Sequence, residues 1–164
     1  MDFNFILLNL SFLLLLGILV YIVNTRRKKQ MHYAFLGIIS SILIWTFGYL
    51  GLFYWYYAFN QNNEFFIKII FSGIIIVPIF VFLFGYLFAY NKIKNIFKTL
   101  LLLIIPTISI ILLYTNEYHK LFYTYFSAEN LYHRSFGPWF IIHTIYSYSL
   151  ILIGLGYLTY FTIK

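Results

Sequence analysis

Five apolar runs, at about residues 5–23, 34–57, 66–90, 99–115 and 139–163, take up most of this chain, and each approaches or exceeds the length of helix that crosses a bilayer core. The runs fix the fold class as an all-α, polytopic transmembrane helix bundle with five spans. A soluble protein keeps about a quarter of its residues charged to hold its surface in water. Here only 9% are charged and 63% are hydrophobic, with a mean hydropathy of +0.88, which excludes a soluble enzyme. No internal repeat, low-complexity tract or linker divides the chain, so residues 1–164 read as a single membrane-embedded unit.

The net charge of +7 would suggest a nucleic-acid partner in a soluble protein, but the Lys and Arg residues gather at the edges of the apolar runs. They are topology signals on a fringe attracted to anionic headgroups, and nucleic acid is excluded as a partner. The absence of cysteine rules out disulfides, thiolate metal sites and cysteine nucleophiles together. Abundant Phe and Tyr, with many Ile, Asn and Lys, fit an AT-rich coding sequence and a low-GC bacterium, hence a multi-pass protein of the bacterial cytoplasmic membrane.

Loop charge sets an orientation. The first run follows Asp2 and is succeeded at once by Arg26, Arg27, Lys28 and Lys29, the reverse of a cleavable signal peptide. The second ends in the aromatic cluster Phe53–Tyr57, and the next loop, Asn60-Gln61-Asn62-Asn63-Glu64, has no basic residue. The third carries Lys68 near enough to its end to snorkel, and Pro78, then gives way to Lys92, Lys94 and Lys98. The remaining loop holds Lys120 and Arg134, and the chain stops at Lys164. Five crossings with basic loops inside place the N-terminus outside and the C-terminus inside.

Pro78 and Pro106 each delete a backbone hydrogen bond within a run, leaving a carbonyl for a neighbouring helix or water to satisfy. Pro138 instead fits the first turn of the last helix, where no N–H partner exists. Gly37 with Ser41, and Gly48 with Gly51, thin one side of the second helix for close packing. On the fifth helix His143, Tyr146, Ser147, Gly154 and Tyr157 share one face, which should point inward. An ionisable group at membrane depth needs a partner, so His143 is either a ligand contact or bonded to a neighbouring helix's carbonyl. The stretches 116–123 and 131–136 mix polar and aromatic residues and suit either a lid over an outward pocket or an aromatic belt. His119, His133, Glu117 and Glu129 match no metal-ligand spacing, no nucleotide or hydrolase motif occurs, and no metal or cofactor is expected.

From Pro106 through Thr115-Asn116-Glu117-Tyr118-His119-Lys120-Leu121-Phe122 to Phe136-Gly137-Pro138-Trp139-Phe140, and on through His143, Tyr146 and Tyr148, the chain resembles the N-terminal seven-helix sensor region of bacterial histidine kinases. In that family a proline-bearing helix ends in T-N-x-x-H-x-L-aromatic, and an outer loop leads to a G-x-x-aromatic…H-x-x-Y-x-Y helix start. Phe71-Ser72-Gly73 followed by Pro78 is similar to the family's third helix. The resemblance implies a sensory input module that, in full-length relatives, passes a signal to cytoplasmic PAS, histidine kinase or diguanylate cyclase domains of two-component type. Five helices with no phosphoacceptor region and no ATP-binding motif depart from that pattern, so a truncated, non-enzymatic sensor is expected. Its partners would be the bilayer, a second copy or an output domain in cis, and an unidentified extracellular or membrane ligand. The candidate ligand pocket comprises Asn116, His119, His143 and Tyr146. The alternative is a small integral membrane structural or transport subunit that binds a partner or lipid through its polar stripe.

Overall fold

A computed structural model describes residues 3–26, 29–61, 63–126 and 134–163. The sequence positions Asp2, Arg27, Lys28, Asn62, Glu129, Leu131, Tyr132, His133 and Lys164, to which the reading above assigned charge, loop or ligand roles, lie outside the described residues. The chain runs α1 (Phe3–Val23), α2 (Gln30–Phe59), α3 (Glu64–Tyr90), α4 (Ile96–Leu101), α5 (Ile104–Tyr114), α6 (Asn116–His119), β1 (Tyr123–Phe126), β2 (Arg134–Phe136) and α7 (Pro138–Ile163). Among the described residues, five helical stretches are long and apolar enough to cross a membrane, with α4 and α5 together making the fourth.

Asparagines punctuate these helices. Asn60 and Asn91 end α2 and α3 in the left-handed region, at φ 53° and 61°, and donate their N–H groups to Tyr56 O and Leu87 O. A short polar side chain tolerates that conformation where a branched one does not. Asn63 and Asn95 act at the opposite kind of boundary, accepting from the Phe65 and Lys98 N–H groups at the starts of α3 and α4. The bundle therefore has two distinct ends. One, the basic end, carries the turns after α1 and α3, stitched together by the Ile93 N–H donating to Gln30 Oε1 at 2.9 Å. The other, the hairpin end, carries the α2–α3 turn, α6 and the β1–β2 pair.

α1 packs on α2, α2 on α3 and α3 on α7, with α5 set against α3 and α7. α1 is held chiefly by Phe5, whose ring meets Phe53, Tyr54 and Tyr57 edge-on. Most of its other apolar side chains are exposed, as a helix immersed in lipid would have them. α2 and α3 close tightly because Gly73 lets the Ser41 carbonyl and Trp45 N–H approach within 2.7 Å of where a Cβ would stand. α3 and α7 cross backbone to backbone at Gly85 and Gly154, and a Cβ on Gly154 would lie 2.9 Å from Phe82 Cα.

Two departures from the sequence expectation concern the segment between α3 and α7. The fourth span is not one helix: residues 102 and 103 form a turn between α4 and α5, closed by i→i−3 bonds from Leu102 N to Thr99 O and Leu103 N to Leu100 O. Pro106 contributes to the break, since without an N–H it cannot continue the ladder back to Leu102. The loop after α6 is also not purely irregular. β1 and β2 pair antiparallel through Tyr123–Phe136, Tyr125–Ser135 and Phe126–Arg134, with a register shift between Tyr123 and Tyr125.

The main core lies toward the hairpin end. Leu52, Ile67, Ile70, Phe71, Ile75, Leu113, Phe122 and Tyr123 form one buried cluster, joined at its edge by Trp139 and Phe140. Phe122 is fully buried, so the loop contributes core rather than only a surface belt.

Candidate functional site

The hairpin end is organised by Asn116. Its Oδ1 accepts from both the Phe122 and Tyr123 N–H groups, at 2.9 and 3.0 Å, and its Nδ2 donates to Tyr123 O at 3.1 Å. One amide side chain thus engages three backbone groups of the loop and seats Phe122 in the core. Phe122 there meets the rings of Phe71, Tyr123 and Phe140.

His119 closes the same loop from its other side. The Leu121 N–H donates to His119 Nδ1 at 3.0 Å, which leaves Nε2–H to donate to Thr115 Oγ1 at 3.0 Å. Thr115 in turn donates its hydroxyl proton to Ile111 O. Lys120 follows in the left-handed region at φ 52°, turning the chain back toward α7.

Backbone bonds also rivet the loop to α7. The Gly137 N–H donates to Phe122 O at 2.9 Å and the Trp139 N–H to Leu121 O at 3.1 Å, satisfying a donor of the first helical turn. A Cβ at Gly137 would collide with the Leu121 carbonyl, so only glycine permits this approach. Pro138 occupies the first position of α7, as its missing N–H allows.

Below this lies a buried polar network between α5 and α7. Ser109 is fully buried and His143 is 4% exposed. Ser109 Oγ donates to Ile105 O at 2.8 Å and accepts from Trp139 Nε1 at 2.9 Å, while His143 Nδ1 stands 3.0 Å away. The serine has a single proton, already engaged, so His143 Nδ1–H is the donor and Nε2 accepts from Ser147 Oγ at 3.0 Å. Every polar atom of the group is used, as burial requires. His143 bonds to hydroxyls, not to the carbonyl of a neighbouring helix that the sequence suggested as one option. Neither His119 nor His143 has a ring nitrogen free, so holding a metal would first break one of these bonds.

Tyr146, one turn further along α7, donates its hydroxyl to Leu102 O. Leu102 is four residues before Pro106, so this is the carbonyl that the proline leaves without an intrahelical donor. A side chain of α7 thus completes the broken fourth span. The polar face of α7 points inward: His143 and Gly154 are buried and Tyr146, Ser147 and Tyr157 half-buried, whereas Ile145, Tyr148 and Leu152 are exposed.

The four candidate residues consequently lie along one path, from the loop clamp through α5 to the break, each spending its polar atoms on internal bonds. Sequence reasoning missed Ser109, Trp139 and the Leu102 carbonyl. Ser109 follows Pro106 by three residues and Trp139 precedes His143 by four, spacings that a face count on both helices would have caught. Lys68, close enough to its helix end to snorkel, reaches Glu64 and Glu117 there, each at 3.1 Å, and ties α3 to α6, a pairing that the sequence did not suggest.

Residues 7–164 match the family described as the N-terminal 7TM region of histidine kinase. No curated protein and no solved structure matches the chain.

Proposed function

Because the chain belongs to the family of the N-terminal 7TM region of histidine kinase, we propose that it is a membrane-embedded signal-input domain whose hairpin end receives a stimulus and whose basic end delivers it. The observation that carries this is the pair of bonded groups that α7 brings together, the loop clamp of Asn116 joined through the Leu121–Trp139 backbone bond to Ser109 and His143, and, one turn further along the helix, Tyr146 on the Leu102 carbonyl. A broken span whose proline-freed carbonyl is held by one side chain of a neighbouring helix is suited to take two arrangements, and a ligand or partner would act on it by favouring one of them. Asn116, His119, His143 and Tyr146 in this reading transmit rather than touch the stimulus.

The basic turns around Arg26 and Lys29 and around Lys92 to Lys98 favour the cytoplasmic side, which puts the hairpin outside and the N-terminus with it, in a bacterial cytoplasmic membrane. The partner is a cytoplasmic output domain of two-component type, engaged in cis or by association, and a second copy of the chain is a natural companion. Catalysis belongs to that output domain.

A chimera in which α7 continues helically into a histidine kinase catalytic core tests the proposal. Autophosphorylation should rise and fall with a helical period as one to four residues are inserted at the junction, and alanine at His143 or phenylalanine at Tyr146 should change its level. Output indifferent both to phase and to all four candidate positions would remove the sensor reading and leave the partner-binding subunit in its place.

A further inference from the structure

At the basic end, the turn after α3 and the short helix α4 stand away from α3 and leave a cleft of about 390 Å³, within the range of small-ligand sites. Phe82, Leu83 and Tyr86 of α3 and Leu102 of the broken span form its walls, and Lys94 and Lys98 line it. Both lysines are exposed. Lys94 Nζ lies 5.1 Å from the centre of the Tyr90 ring, and neither lysine has an ion-pair partner among the described residues. The two described carboxylates, Glu64 and Glu117, are bound to Lys68 at the opposite end.

The backbone that carries the lysines is also held in place. The backbone next to Lys94 is fixed by the bond from Ile93 N–H to Gln30 Oε1, and that of Lys98 by its N–H bond to Asn95 Oδ1 at 3.3 Å. From Lys98 to Leu102 the cleft descends about 6 Å along the span, at the helical rise per residue. Charge at the bundle end and apolar wall below it follow the order of headgroup and acyl chain in a bilayer leaflet.

We propose that this cleft is a binding site for one anionic phospholipid, its phosphate between Lys94 and Lys98 and an acyl chain against Phe82, Leu83 and Leu102. Charge complementarity selects the occupant, because a zwitterionic lipid brings its own cation beside its phosphate and would leave the net charge of the two lysines uncompensated. The site does not depend on the sensor reading.

The test is native mass spectrometry of the full chain released from nanodiscs containing equal amounts of dioleoyl phosphatidylglycerol and dioleoyl phosphatidylcholine. One phosphatidylglycerol should be retained preferentially, with about a five-fold loss of preference for each of Lys94→Gln and Lys98→Gln, from the known attraction of a lysine to anionic lipid. Lys92→Gln, beside the cleft, should leave retention unchanged. A phosphatidylglycerol with a photoreactive acyl chain should label α3 around Leu83 and the turn at Leu102 in the unmodified protein, which needs no variant to fold. Equal retention of both lipids, an equal loss from Lys92→Gln, displacement by millimolar inorganic phosphate, or labelling elsewhere would each overturn the site. The last of these would indicate another helix in the cleft.

Discussion

Removing the Tyr146 hydroxyl should weaken the fourth span only while residue 106 is proline. In the native chain, Tyr146→Phe strips the Leu102 carbonyl of its donor in a water-poor interior. An unsatisfied buried carbonyl costs about 1–3 kcal/mol in soluble proteins, while side-chain hydrogen bonds within membrane bundles average about 0.6 kcal/mol. The ring of Tyr146 is half-buried, so the expected loss is about 1 kcal/mol, roughly a five-fold shift in the local opening equilibrium. Pro106→Ala restores an N–H four residues after Leu102, able to take the same carbonyl. Tyr146→Phe in that background should therefore cost close to nothing, giving a coupling of about 1 kcal/mol in the double-mutant cycle. Reversible unfolding in mixed micelles measures the cycle, and amide exchange across residues 103–107 locates it. Equal costs in the two backgrounds would refute the claim that the tyrosine substitutes for the bond that proline deletes.

Asn116→Ala should loosen the segment between α6 and α7 by roughly 2–3 kcal/mol, because three hydrogen bonds from the amide to two N–H groups and one carbonyl are lost. Asn116→Asp keeps the acceptor and should fall between, with limited proteolysis reading the order. Gly154→Ala sets a methyl against Phe82 Cα and the Val81 carbonyl, each 2.9 Å away, and should lower the melting temperature through about 1–3 kcal/mol of overpacking. Gly156→Ala, where nothing lies within 4 Å, is the matched control and should be neutral or slightly stabilising. Glu117→Gln should cost under about 1 kcal/mol and lose its effect in high salt, since the carboxylate is 67% exposed; a large, salt-independent loss would mean the ion pair is buried by something further.

The long apolar runs made the crossings legible, because a helix in lipid must be uniformly apolar along its length and the ends of such a run are sharp. The helices extend a few residues beyond the runs where polar caps such as Asn63 and Asn95 prolong them. Pro138 and the inward face of α7 were equally readable, since each rests on a local rule. The break at residues 102 and 103 was not. Pro78 sits inside the continuous α3 while Pro106 accompanies a turn, and nothing in the residues around either proline tells the two outcomes apart. What differs is tertiary: a tyrosine on another helix, forty-four residues away, is placed to donate its hydroxyl to the orphaned carbonyl. The hairpin escaped for a similar reason, as its strands are only four and three residues long and the start of the first is held by Asn116 from outside the pair.

The Gly85–Gly154 crossing divides α7 unequally. Sixteen residues separate Pro138 from Gly154 and nine separate Gly154 from Ile163, which at the helical rise makes arms of about 24 and 14 Å. If that crossing is a fulcrum, α7 is a lever whose long arm is at the hairpin and whose short arm is at the basic end. A sideways push of the hairpin would then reach the basic end reversed in direction, reduced to somewhat more than half in distance and increased in force by the inverse ratio. The angle of tilt alone passes through unchanged, and a reader of this helix that sensed its slope would lose nothing to the geometry.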